Sequence, residues 1–257
     1  AVEHIEQLKE IGWSPEDSME KMVFGFSIGS QFFMEIAKLR AARYLWKKVA
    51  ETYDVDRVKM NVFAETTIVN KSKLDPYTNM LRLGGESFAA VIGQVQTLRV
   101  NPYDEVFGNV SSLGSRLGRN VHHLLREEAK LSLVSDPAGG SYFIEALSKQ
   151  LIEKAWNLFL SIEDDGGILA NLKDGKVQEQ LATMRANKQT DFQLRKTKLI
   201  GTNQYVDITE KLHEPFESNN HEQISGYLQD KTFQQIIKRA EEDTNLNLFF
   251  TQSVEEG

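Results

Sequence analysis

Cysteine is absent from this 257-residue chain. That excludes a disulfide framework, a thiolate metal site and a cysteine nucleophile, and it fits a reducing cytoplasm. The residues hold neither a transmembrane run nor a signal-peptide pattern, so no membrane partner is expected. An excess of basic charge is missing too: 30 Lys and Arg stand against 37 Asp and Glu, for a net charge of -7. Such a balance argues against a nucleic-acid surface but leaves room for a local basic pocket. The phosphate-cradling P-loop, the dinucleotide glycine fingerprint and the nucleophile elbow are absent as well. What is present is ordinary for a folded protein. Hydrophobic residues make up 40% and charged residues 26%, enough for one large domain or two small ones with a buried core.

Along the first half, helix and strand patterns alternate. Val2, Ile5, Leu8 and Ile11 form a helical stripe that Gly12 stops. Ser14-Pro15-Glu16-Asp17 reads as the next helix start, with Ser14 as cap, Pro15 at the first helical position and Asp17 reaching back to a free amide. Met22–Ile28 is strand-like. Gln31–Thr52 is a long helix with Phe32, Ile36, Leu39 and Trp46 on one side and Phe33, Ala37, Ala41 and Leu45 beside it. Its Lys38, Arg40, Arg43 and Lys47 read as a solvated rim, with a phosphate site as the alternative. Val58–Val69 alternates as a second strand, and the polar cluster Asn70–Lys73 closes it. Asp75-Pro76 opens a helix with Tyr77, Met80, Leu81, Phe88 and Val91 on one face and Gly93 at its end. Val95–Val100 is a third strand, ended by Asn101-Pro102. Such alternation implies parallel pairing of the strands. Beyond Asp136 the character turns helical: Tyr142–Phe159, a break at Gly166-Gly167, a short helix, a turn at Lys173–Lys176 and a helix to about Leu194. Thr197–Asn203 is a short strand-like run. Leu212–Gly257 is acidic and polar, with an apolar patch at Leu246–Phe250.

Five segments carry more information in their order than singly. They are FFMEIAKLRAARYLW (Phe32–Trp46), LDPYTNMLR (Leu74–Arg82), NPYDE (Asn101–Glu105), GRNVHHLLREEA (Gly118–Ala129) and DPAGGSYFIE (Asp136–Glu145). In this order the chain resembles the C-terminal part of the acyl-CoA-binding barrel of cobalamin-dependent methylmalonyl-CoA mutases. The resemblance implies an α/β fold, the C-terminal part of a parallel (β/α)8 TIM barrel followed by a mostly helical linker region. It divides the chain into a partial barrel over 1–135, a helical linker wrapping the barrel over 136–211, and over 212–257 a polar tail or the start of a degenerate cobalamin-type domain. A closed barrel of this kind needs about 250 residues and eight strands. Three strands cannot close one, so the opening strands are expected upstream. The chain begins at Ala1, without methionine, inside what resembles a barrel helix, and is expected to be a piece of a longer protein.

In a parallel barrel the active face lies at the C-terminal strand ends, here near Phe26–Ser30, Thr66–Ser72 and Arg99–Glu105. The resemblance adds coenzyme A contacts. The family's arginine, serine and aromatic on the strand before FFMEIAKLR match Lys21, Val23 and Gly25. Its His-x-Gln pair on the third strand matches Gln94 and Gln96, and a further glutamine matches Glu127. Lys21, Gln94 and Gln96 are therefore remnant coenzyme A positions, expected to be degenerate. The family holds cobalt through an Asp-x-His-x-x-Gly loop. None of His4, His122, His123, His213 and His221 has an aspartate two residues before it. The family's catalytic histidine and tyrosine lie upstream, so no catalytic or metal residue is expected here. His122-His123 invites a metal or acid–base reading, but adjacent helical residues diverge by about 100°, which favours a structural role. Asp104-Glu105 reads as a hydrogen-bonded loop anchor, with paired acid–base carboxylates as the alternative.

These features together resemble the non-catalytic small (beta) subunit of a heterodimeric mutase. That implies a catalytic large subunit as partner, with adenosylcobalamin and acyl-CoA in the holoenzyme and none expected on this chain alone. Self-association through open strand edges is expected. Two other readings stay open: a catalytic acyl-CoA mutase (isomerase) whose active-site strands lie upstream, and a barrel repurposed to bind another metabolite.

Overall fold

The computed structural model describes residues 1–206. The tail from Leu212, its Leu246–Phe250 patch, His213 and His221 lie outside the described residues. Two short helices open the chain, α1 (Val2–Glu10) and α2 (Pro15–Lys21). Ser14 caps α2 by accepting from the Asp17 amide at 3.1 Å. Asp17 answers the Ser14 hydroxyl at 2.5 Å, not the free amide expected from the sequence. Three parallel strands follow, β1 (Val23–Ile28), β2 (Asn61–Thr66) and β3 (Thr97–Arg99), in spatial order β1-β2-β3. Their register pairs Gly25 with Phe63 and Phe63 with Thr97.

Helices α3 (Phe32–Thr52) and α4 (Thr78–Ile92) connect the strands. Phe24, Phe26, Ile28, Val62, Ala64 and Leu98 join the core with Ile36, Leu39, Ala89 and Ala90 of these helices. Because side chains alternate along a strand, the other face carries Val23, Gly25, Ser27, Thr97 and Arg99, all exposed. Among the described residues no fourth strand pairs with β1 or β3. Among the described residues the sheet thus has two open edges and one open face.

After β3 come α5 (Ser112–His123), α6 (Tyr142–Asp164), α7 (Gly167–Lys173) and α8 (Lys176–Gln193). The α6 helix lies along α3. Phe143 meets Phe33 edge-on at 5.4 Å, and the Lys48 ammonium sits 3.7 Å above the Trp156 ring. Arg40 forks to Asp136 at 2.8 Å and to Glu145 at 2.6 Å, fixing the turn before α6. Arg43 donates to the carbonyls of Gly93 and Gln94. The solvated rim expected on α3 holds only for Lys47, which stays exposed: Arg40 and Arg43 tie helices and turns together, and Lys38 donates to the Ser27 carbonyl of β1 at 2.7 Å.

Three further expectations fail for local reasons. β2 is shorter than 58–69, because pairing with β1 runs only from Asn61 to Thr66. β3 is shorter than 95–100, because α4 ends in a left-handed cap that reaches into it. Gln94 has φ +61°, its amide bonds to Val91, and the Val95 amide bonds to Ala90. The left-handed residue is thus Gln94, with Gly93 in an ordinary conformation at φ -73°. Residues 197–203 are not a strand: the amides of Thr202, Asn203 and Gln204 all fold back onto the Leu199 carbonyl.

Two helical glycines should respond to alanine with opposite sign. A Cβ on Gly118 of α5 would stand 2.9 Å from the Val100 carbonyl oxygen, while Gly85 of α4 has nothing within 4 Å. Gly118→Ala is expected to cost about 1–3 kcal/mol through overpacking against backbone. Gly85→Ala should gain about 0.5–1 kcal/mol from helix propensity. Urea denaturation of the two variants checks both signs.

Candidate functional site

The C-terminal ends of the strands meet in a polar cluster. Thr66, the last residue of β2, is buried; its hydroxyl accepts from the Asn101 amide at 2.9 Å, and its carbonyl accepts from the Asn101 side chain at 2.6 Å. That exchange locks the exits of β2 and β3 together. In the following loop Lys71 reaches both oxygens of Glu86 on α4, at 2.7 and 2.8 Å, with the two side chains 3% and 1% exposed. Asn70 adds a bond to Glu86 at 2.7 Å. Burial pushes the Glu86 carboxyl up against the pull of Lys71, and burial pushes the Lys71 ammonium down against the pull of Glu86. The pair is fully desolvated and depends on its own contacts.

Asn79 is the second hub. Its oxygen accepts from the Ser72 amide at 2.9 Å and from Arg82 at 2.7 Å. Its amide donates to the carbonyls of Ser72 and Tyr103, at 2.9 and 3.0 Å. Arg82 also donates to the Ile200 carbonyl at 2.5 Å, and the Thr202 hydroxyl bonds the Ser72 hydroxyl at 2.6 Å. On the β3 side, Asp104 accepts from the Ser111 amide at 2.9 Å and from the Ser111 hydroxyl, and that hydroxyl caps α5 through the Gly114 amide. Glu105 accepts from Arg99 at 2.9 Å. Asp104 and Glu105 thus point to different partners and anchor a loop. Chemically the cluster is a set of ion pairs and backbone bonds that hold loops, in which Asp104 Oδ1 and Asn101 Oδ1 are buried without a hydrogen-bond partner.

The remnant coenzyme A positions lie at the opposite ends of the strands. Lys21 closes α2, exposed, beside an open cleft of about 380 Å³ shared with Gly12, Trp13 and Asp17. Gln94 donates its side-chain amide to the Ser135 carbonyl. Gln96 accepts from the Val62 amide at 2.8 Å and donates to the Gln94 carbonyl at 3.4 Å. Gln94 and Gln96 are therefore neighbours before one edge strand, while Lys21 precedes the other edge, with β2 between. Val23 and Gly25 lie on the open face, and Glu127 is exposed beside Arg126. His122 and His123 end α5. Burial, then the neighbouring His123, lowers the His122 pKa. Among the described residues no group of three His, Asp or Glu could hold a metal ion.

Lys71, Asn79, Arg82 and Glu86 were missed by sequence reasoning. Lys71 sits in a run that reads as a polar loop, and Glu86 is fifteen residues further on, a spacing with no helical or strand period. Asn79 inside a helix is the one available signal, since asparagine is a poor helix former.

A parallel sheet with helices between its strands and polar loops at the strand ends defines the α/β class. A model of the methylmalonyl-CoA mutase family matches residues 1–248, and the chain belongs to that family. It is 35% identical over 212 residues to the methylmalonyl-CoA mutase small subunit of Porphyromonas gingivalis, covering 81% of this chain and 34% of the relative. It is 33% identical to the small subunit of Streptomyces virginiae, covering 82% and 34%. To the methylmalonyl-CoA mutase of Rhizobium meliloti it is 32% identical, covering 76% and 28%. The chain spans about a third of the length of these relatives.

Breaking the buried pair should be costly and one-sided. Lys71→Met or Glu86→Leu alone leaves an unpaired buried charge and is expected to cost about 3–5 kcal/mol. The double variant should cost less than either single, because no charge is then stranded. A double-mutant cycle by denaturant unfolding measures this; additive costs would contradict it.

His122 gives a pH dependence of known sign. Its folded pKa lies below the ordinary 6.5, so its contribution is complete above that value and is lost as pH falls through the folded pKa. His122→Gln should flatten the decline in melting temperature between neutral and mildly acid pH. An unchanged slope would assign that decline to other groups.

Proposed function

We propose that the chain is a piece of the non-catalytic small (beta) subunit of a heterodimeric methylmalonyl-CoA mutase, the C-terminal part of a (β/α)8 barrel with a helical linker. Its work is to bind and stabilise a catalytic large subunit in the cytoplasm. Adenosylcobalamin and acyl-CoA belong to that holoenzyme, where methylmalonyl-CoA and succinyl-CoA interconvert. The reading rests chiefly on the family's coenzyme A positions. Val23 and Gly25 present a methyl pair and no side chain to the open face, and the amides of Gln94 and Gln96 are spent on backbone groups of this chain. Of that set Lys21 alone offers an exposed cation. Two of the relatives named above are small subunits, which supports the same role.

A second reading is favoured by the relative named simply methylmalonyl-CoA mutase, at comparable identity. On that reading the chain is part of a catalytic acyl-CoA mutase, and its coenzyme A positions must bind. The two readings differ in a measurable way. Each lost hydrogen-bonded contact weakens binding by about 1–3 kcal/mol, so losing several removes micromolar affinity. Calorimetry with coenzyme A should show no saturable heat at micromolar concentration, and a visible-absorbance titration with adenosylcobalamin should show no saturable base-off change. Tight binding of either ligand would overturn the small-subunit role.

A further inference from the structure

Among the described residues α8 buries none of its own, although it runs for 18 residues. It packs on the short helix α7, and the ion pair of Lys176 with Asp165, at 3.3 Å, ties its start to the end of α6. Val177, Leu181, Met184 and Lys188 recur at the four- and three-residue spacing of one side of a helix. Leu181 is 59% and Met184 55% exposed, and Lys188 is exposed beside them. A helix in water is held chiefly by the side it packs, so one with an exposed apolar side lacks a partner among the described residues. The stretch 173–198 is also basic, with seven Lys and Arg against three Asp and Glu.

Helix α6 presents the complementary side. Glu153, Leu160 and Asp164, at spacings of seven and four, share one side, with Lys149 a turn before Glu153. All are exposed, Leu160 at 42%. Exposed Glu163 and Asp165 adjoin them. The acidic surface continues onto α1 through Tyr53, whose hydroxyl donates to Glu6 at 2.6 Å. Burial, then Glu6 and Glu163, raise the Tyr53 pKa, so the two carboxylates share that neighbour. The acid–apolar–acid side of α6 matches the apolar and basic side of α8 in spacing and in sign.

We infer that α8 docks on the exposed side of α6 in a second copy of this chain, with Leu181 and Met184 against Leu160 and Lys188 against the carboxylates of Glu153 and Asp164. Within one chain both sides are exposed, so neither is seated on the other. Because Lys176 meets Asp165, the docking helix and its seat adjoin in each copy, and a reciprocal exchange closes about one twofold axis. A nucleic acid is the poorer partner: it would take the cations but leave Leu181 and Met184 in water. Pairing at the strand edges is a different contact, since it joins uncharged backbone groups and responds little to salt. The inference does not depend on the subunit role proposed above.

The absence of native cysteine makes the test direct. Full chains carrying Leu181→Cys or Leu160→Cys are treated with a short bismaleimide, separately and mixed. A cross-linked dimer is expected in the mixture and in neither chain alone, because each contact sets position 181 against position 160. By sedimentation, Lys188→Glu should weaken association about tenfold, as should Glu153→Lys with Asp164→Lys, or raising salt from about 0.05 to about 0.5 M for the parent chain. Mixing the two charge-reversed chains should restore association, since both contacts then regain opposite charges. Circular dichroism checks that the variants stay folded. Cross-linking of L181C alone would set α8 against α8, and a dimer indifferent to salt and to both reversals would lie elsewhere, as at the strand edges. Either result would overturn the inference. So would a monomeric parent chain, a mixture that fails to restore association, or a K188E chain that loses a labelled single-stranded RNA but still associates.

Discussion

The buried contact between Lys71 and Glu86 sets the geometry on which the rest depends. Both charges have left water, so each is tolerable only while the other stays in place. The contact fixes the loop after β2 to α4 and, with Asn79, fixes the rotation of α4 about its axis. Asn79 extends the constraint to β3 through the Tyr103 carbonyl. Arg82, held by Asn79, extends it to residues 199–204. One polar cluster therefore decides which side of α4 is core, where the third strand exits and where the helical region returns to the sheet.

The polar cluster ties the strand ends together, while among the described residues the sheet keeps unpaired edges. Parallel strands are ordinarily buried on both faces, with every edge paired or covered. Here helices cover one face, while Val23 stands 67% exposed on the other. Relatives named as mutase subunits are about three times as long as the matched segment.

Much of this was legible in the sequence. Ser14-Pro15 announced a helix start because capping is local, and the long α3 showed its apolar side because periodicity is local as well. Parallel pairing followed from the alternation of strand and helix. The rotation of α4 was not legible. Its apolar residues lie on two sides, and the side chosen was settled by Glu86 and Asn79, whose partners are distant in sequence. The cap at Gln94 was hidden by Gly93, the residue that glycine preference would pick. Arg40 and Arg43 read as surface charges because their acceptors, Asp136, Glu145 and the carbonyls at the end of α4, come from segments brought together only by folding. Lys21, Gln94 and Gln96 were found through resemblance. The bonds of Gln94 and Gln96 to backbone, which bear on whether they can hold a ligand, appear only in three dimensions.

The central proposal is that this chain supplies binding surface to another chain, since among the described residues the edges of its sheet are unpaired. Sedimentation equilibrium of the purified chain tests this most directly. A dimer or larger species at low micromolar concentration, dissociating on dilution, is the predicted result. A well-folded monomer across that range would contradict the account, since the edges of β1 and β3 would then be satisfied without a second chain.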